Sequence, residues 1–129
     1  MNFSLTENQL MIQQMTRDFA KKEVLPYRNE WDEKEHFPID ILKKAGALGL
    51  LGVVVPIEYG GSGMGYLEYV TVLTELGKVC GGFGLSVAAH NSLCTGHILQ
   101  HGNEEQKLKF LPKLATGEHI GAWGLTEPN

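Results

Sequence analysis

FGLSVAAHNSLCTGHILQ, residues 83–100, is the stretch that every other segment has to accommodate. Its apolar and small residues fall on every side at helical spacing, and a helix without a clear polar face belongs in a protein interior. The stretch therefore predicts the core helix. It also carries Ser86, His90, Asn91, Ser92, Thr95 and His97, and buried polar groups cost free energy unless something hydrogen-bonds them. That conflict makes this helix the first place to look for a function.

Working outward, Tyr66, Tyr69, Val70, Leu73, Leu76 and Cys80 keep helical spacing just before it, with Gly81-Gly82 as a tight turn between the two helices. Upstream of that pair lies the glycine-dense run from Glu58 to Gly65, and before it Leu51, Val53, Val54 and Val55, which read as a short strand or an extended apolar segment. Ile41, Leu42, Ala45 and Leu48 line up behind Pro38, a residue tolerated in a first helical turn, and Gly49 is a stop signal. At the front of the chain, Thr6 and Gln9 have capping-box spacing, with Leu5 and Leu10 as a hydrophobic staple, so a helix should begin at Glu7. Leu10, Met11, Met15, Phe19 and Ala20 form its expected apolar stripe, with Gln14, Arg17, Asp18 and Lys21 facing water. Pro26 should break or kink the pattern before Trp31.

Downstream, Asn103 with Gln106 repeats the capping spacing ahead of Leu108, Leu111 and Leu114 on one face. Pro112 should interrupt that helix near its end and Gly117 should close it. Helical period is lost over residues 118–129, where Ile120, Ala122, Trp123 and Leu125 read as extended. The expectation is an all-α domain of five or six helices in an orthogonal or up-down bundle. Because the architecture changes just where the chain ends, it reads as a helical domain cut from something longer.

With 43% hydrophobic and 20% charged residues in 129, the composition suits one globular domain. A net charge of −4 and no Lys/Arg run argue against nucleic-acid binding, which draws its affinity from clustered cations. No signal-peptide pattern opens the chain, and no apolar run approaches the ~20 residues of a membrane span. The two cysteines, Cys80 and Cys94, lack the spacing of metal ligands and the density of a disulfide scaffold. A cytoplasmic protein is expected.

The glycine loop follows a valine run and precedes a helix, as a dinucleotide-binding turn does, but glycines at 60, 61, 63 and 65 cannot be written G-x-G-x-x-G. A plain connector is the better reading. His97 and His101 share a helix face and are half of a zinc site, with no H-E-x-x-H glutamate between them, so no metal is expected. His90 reads first as a hydrogen-bonded interior histidine. No nucleophile elbow or Ser/His/Asp order is legible, and no catalytic residue is nominated.

The run from Trp123 to Asn129, WGLTEPN, is similar to the flavin-contacting signature of the acyl-CoA dehydrogenases: an aromatic, any residue, an aliphatic, then Thr-Glu-Pro. LTENQ at 5–9, FP at 37–38, EYGGSG at 58–63, HNSL at 90–93 and HGNEEQKLKFLPKLATGE at 101–118 resemble that family's N-terminal domain in the same order. The resemblance implies a helical domain over 1–117 and, over 118–129, the start of the link into a β-domain that is missing here. It implies FAD as cofactor, with Trp123, Leu125 and Thr126 at the pyrimidine edge of its ring system. It implies an acyl channel walled by Ser86, Ala89, His90 and Leu93, and a glutamate base in the missing C-terminal part. The reaction implied is α,β-dehydrogenation of an acyl-CoA thioester to a trans-2-enoyl-CoA, with electrons passing to an electron-transferring flavoprotein. A homotetramer is implied for the complete enzyme, and inactivity for this chain alone. A non-catalytic helical interaction domain that keeps the fold is the competing reading, and a relative acting on a nitroalkane or a carrier-bound acyl group is a third.

Overall fold

The computed structural model describes residues 4–128, and among them the chain is all-helical, with no β-strand. Six continuous helices follow in order: α1 (7–24), α2 (Arg28–Glu33), α3 (Ile39–Ala47), α4 (Tyr66–Val79), α5 (81–101) and α6 (Glu104–Ala115). A single 3-10 turn, Ile57–Tyr59, lies between α3 and α4.

Local chemistry fixes the helix starts. Thr6 accepts from the Gln9 amide at 3.3 Å while the Gln9 side chain accepts from the Thr6 amide at 3.0 Å, so two otherwise orphaned donors are satisfied. Asn103 and Gln106 repeat the arrangement at 2.9 Å in both directions. Cys80 is the whole connection between α4 and α5, and its thiol receives the Phe83 amide.

The phase of α1 differs from the expected stripe. Leu10 and Met11 are exposed, and the buried residues are Gln9, Ile12, Thr16, Phe19, Ala20 and Val24, so the expected stripe holds only at Phe19 and Ala20. The reason lies on α4, which runs beside α1 in the same direction: Gln9 Nε2 donates to Glu68 Oε1 at 2.9 Å, and the Arg17 guanidinium donates to Glu75 at 3.0 and 3.2 Å. Polar partners on α4 draw a polar face inward, which apolar periodicity cannot anticipate. Glu75 is only 3% exposed and also receives Lys78 Nζ at 2.8 Å. At its end α1 widens into a π-helical turn, Ala20–Val24, before Pro26 stops it.

Beyond α3, Gly49 takes the left-handed conformation (φ 79°) that the expected stop needs. Leu50, Leu51, Val53 and Val55 are then fully buried in an irregular segment. Backbone bonds from Ser62 to Gly52, Gly63 to Val55 and Met64 to Val53 fold the glycine loop onto it without forming a strand. A Cβ on Gly61 would collide with the Val55 carbonyl. The glycines therefore serve a close backbone approach, in keeping with a connector.

Three further expectations are corrected. Leu108 is 60% exposed, so α6 buries Leu111, Leu114 and Ala115 instead of a Leu108–Leu111–Leu114 row, and α6 runs through Pro112 to Ala115. α5 is not buried all round. Phe83, Gly84, Val87, His90, Asn91, Thr95 and Gly96 face the core, while Leu85 (70%) and Leu93 (46%) stand in solvent. Phe83 stacks with Trp31 and tilts against Phe19, closing the core where α1, α2 and α5 meet. Among the described residues no helix is long and apolar enough to cross a membrane.

Candidate functional site

The polar groups of α5 sort into two sets by the side they face. Ser86 and Ala89 are half-buried and Leu93 is exposed, so these three share the outward side with Leu85. The Ser86 hydroxyl donates back to the Gly82 carbonyl at 3.0 Å, which leaves its oxygen able to accept. Ser86 also stands at the rim of a groove of about 570 Å³ lined by Arg28, Trp31, His36, Phe37 and Phe83.

His90 and Asn91 point the other way, and each braces an irregular segment. Asn91 Nδ2 donates to the carbonyls of Leu50 and Val87, both at 3.0 Å, and its Oδ1 lies 3.4 Å from the Val53 amide. His90 is 0% exposed, with Nε2 at 3.0 Å from the Leu114 carbonyl and Nδ1 accepting from the Gly121 amide at 2.9 Å. His90 thus departs from the expected channel wall and matches the interior histidine read from its neighbours. Its physical reason for being inside is that the ends of α6 and of the following segment both need a partner there.

This pair sits in a π-helical turn, Ala89–Thr95, which closes with the Gly96 amide on the Asn91 carbonyl. Tyr69 of α4 places its hydroxyl on the Ala88 carbonyl at 3.0 Å, where Ser92 Oγ also donates at 2.6 Å. Side chains inserted beside the backbone ladder are one of the recognised companions of such a departure from α geometry, and π turns recur at functional sites. The Thr95 hydroxyl is buried without a partner among the described residues.

The segment after α6 has no regular secondary structure over 120–128. His119 donates its amide to Lys113, and Gly121 donates to His90. Trp123 is 39% exposed and meets the His97 ring edge-on at 4.2 Å, and His97 in turn lies 5.0 Å from His101. Leu125 is 74% exposed, and Thr126 is exposed as well. The amides of residues 123–126 have no partner among the described residues. They form a short run of available donors at the surface, just after the close approach of Gly121 to Cys94 and starting at the contact of Trp123 with His97 of α5. That run fits the electron-rich edge of a planar cofactor. The described residues contain no group of three or more His, Cys, Asp or Glu able to hold a metal.

Two titrations follow from the buried groups. Arg17 above all, with help from Lys78 and against the cost of burial, holds the Glu75 carboxyl down at about 2. Burial pushes His90 below its ordinary 6.5, against the pull of the Leu114 carbonyl. Both groups bind protons more readily when unfolded, so both make stability fall with falling pH. The His90 contribution should begin to go as pH drops through 6.5, and that of Glu75 should be intact above about 4.5 and lost toward 2. Urea midpoints from pH 8 to 3 should show two successive declines, and H90N should remove the upper one. A flat profile between pH 7 and 5 would contradict the neutral buried imidazole.

A family model described as acyl-CoA dehydrogenase, N-terminal domain, matches residues 6–118. The chain is 50% identical over 129 residues to the short-chain-specific acyl-CoA dehydrogenase of Clostridium acetobutylicum, covering 100% of this chain and 34% of that one. A chain in the structure described as the electron-transferring flavoprotein of Acidaminococcus fermentans superposes with a TM-score of 0.95 at 43% identity, covering 99% of this chain and 34% of that one. The acyl-CoA dehydrogenase of Bacillus anthracis complexed with FAD gives a TM-score of 0.86 at 40% identity, covering 97% of this chain and 22% of that one. The chain thus spans about a third of the length of the curated relatives it matches.

Proposed function

The chain belongs to the acyl-CoA dehydrogenase family, and on that footing we propose that it is the N-terminal helical domain of a flavin-dependent enzyme forming trans-2-enoyl-CoA from an acyl-CoA. Residues 1–117 are the domain, and 118–129 begin the link to a β-domain. The observation that carries the reading is the run of amides at residues 123–126 that have no partner among the described residues, beginning where Trp123 leans on His97 of α5.

In this reading the amides of Trp123 and Leu125 and the amide and hydroxyl of Thr126 donate to the pyrimidine edge of FAD. When bound, the flavin supplies the hydride acceptor. Fixed donors aimed where negative charge gathers need no reorganisation during the reaction, which is their value to catalysis. Ser86, Ala89 and Leu93 form one wall of the acyl channel, and the small side chain of Ala89 leaves room for the tail. The catalytic base and the other wall lie outside this chain. Electrons leave to an electron-transferring flavoprotein, the complete protein is a homotetramer, and the two free thiols, Cys80 and Cys94, suit the cytoplasm.

Two preparations test this. Residues 1–129 alone should purify colourless and should not oxidise acyl-CoA with an artificial acceptor. The polypeptide carrying this domain with its β and C-terminal domains should be yellow and bleach anaerobically with a short-chain acyl-CoA, and T126V should weaken its FAD binding by about tenfold. A colourless full polypeptide, or one in which T126V changes nothing, would refute the assignment.

A further inference from the structure

We propose that His90 is the positioning residue of the flavin-contacting segment, acting through the hydrogen bond between its Nδ1 and the Gly121 amide. The inference rests on the reading just given for Trp123, Leu125 and Thr126.

The geometry assigns the roles of the ring. A backbone N–H can only donate, so Nδ1, at 2.9 Å from the Gly121 nitrogen, is the acceptor. The proton must then sit on Nε2, which donates to the Leu114 carbonyl at 3.0 Å. One buried, neutral ring therefore joins α5, the last turn of α6 and the segment that follows it. Asparagine can offer an acceptor near the Nδ1 position and glutamine a donor near Nε2, but neither reaches both.

Gly121 is the place where such a hold matters. A Cβ there would stand 2.6 Å from Cys94 Sγ, so the backbone lies directly on α5 with no room for a side chain. The segment is fastened at His119, through Lys113, at Gly121, through His90, and at Ala122, whose backbone meets the Cys94 thiol. Past these points no amide of residues 123–126 has a partner among the described residues, and Trp123 leans on His97 at 4.2 Å. The direction in which those amides project is accordingly set just upstream, where the fully buried His90 holds Gly121 and Cys94 seats Ala122 beside it. A side chain in the channel helix thereby fixes the alignment of the donors offered to the flavin.

Three measurements test the inference. In the wild-type chain, nitrogen NMR of the His90 ring at pH 7 should show Nδ1 unprotonated and Nε2 protonated; an Nδ1–H tautomer or an imidazolium overturns it. In variants of the chain, H90N should keep exchange of the Gly121 amide within about threefold of wild type, whereas H90Q should speed it about tenfold. In the complete polypeptide, H90Q should weaken FAD binding by about tenfold and H90N should largely restore it, with KM for acyl-CoA little changed. Equal behaviour of the two variants overturns the role, since a side chain that merely fills space would not separate them. A wild-type polypeptide that binds no FAD overturns the flavin-site reading and this role with it, while normal FAD binding without a difference between H90N and H90Q overturns this role alone. The ring measurement needs no variant, so it remains decisive if either substitution fails to fold.

Discussion

Replacing Arg17 by alanine should destabilise the domain, measured as a clearly lower urea midpoint at pH 7. Arg17 itself is partly exposed, yet the carboxylate it covers is not, since Glu75 is 3% exposed and takes two of its hydrogen bonds from the guanidinium. Once the guanidinium is gone, Lys78 alone remains to offset a charge that has already been removed from water. The cost is that of an under-compensated buried ion, more than the worth of the pair itself. For that reason the double variant R17L/E75L should recover most of the loss. A midpoint for R17A within error of wild type would mean that water reaches Glu75 without penalty.

Asn91→Leu should destabilise by about 2–4 kcal/mol, by a different route. Leucine fits the volume but leaves the Leu50 carbonyl and the Val53 amide buried with no other partner among the described residues. Each such orphan costs roughly 1–3 kcal/mol. The damage should be local before it is global. Amide exchange in residues 50–55 should quicken first, while the capped starts of α1 and α6 keep wild-type protection. A variant losing less than about 1 kcal/mol would show that residues 50–55 find other partners when Asn91 is absent.

The parts of the fold that were legible in the sequence are those whose causes are local. Thr6 with Gln9 and Asn103 with Gln106 are complete capping units within four residues, and Gly49 must end a helix whatever surrounds it. The inward face of α1 was not legible, because Gln9 and Arg17 are drawn inward by Glu68 and Glu75, which lie far away in sequence. α5 was misjudged on one side for a related reason. Its apolar outward residues, Leu85 and Leu93, carry the same composition whether the surface covering them is present or not. At the candidate site, the run from Trp123 to Thr126 was found through its resemblance to a known signature. His90 and Asn91 stood out as polar residues in an apolar setting, and the resemblance pointed His90 toward the acyl channel and not toward the contacts it makes. Their partners are main-chain groups of irregular segments, which leave no trace in side-chain chemistry.

The π turn in α5 has a consequence for how this helix tolerates changes in length. A turn closed between Asn91 and Gly96 holds one residue more than an α-turn would. A deletion between Ala89 and Thr95 would therefore be absorbed by tightening to α geometry with the downstream phase kept, whereas tightening with every residue retained would swing everything after it by roughly 100° about the axis. His97 would leave the edge of Trp123, and the small side of Gly96 would no longer meet the core. The extra residue thus acts as a phase shifter: it lets the first half of the helix serve the bundle and the second half serve the C-terminal segment within one unbroken rod.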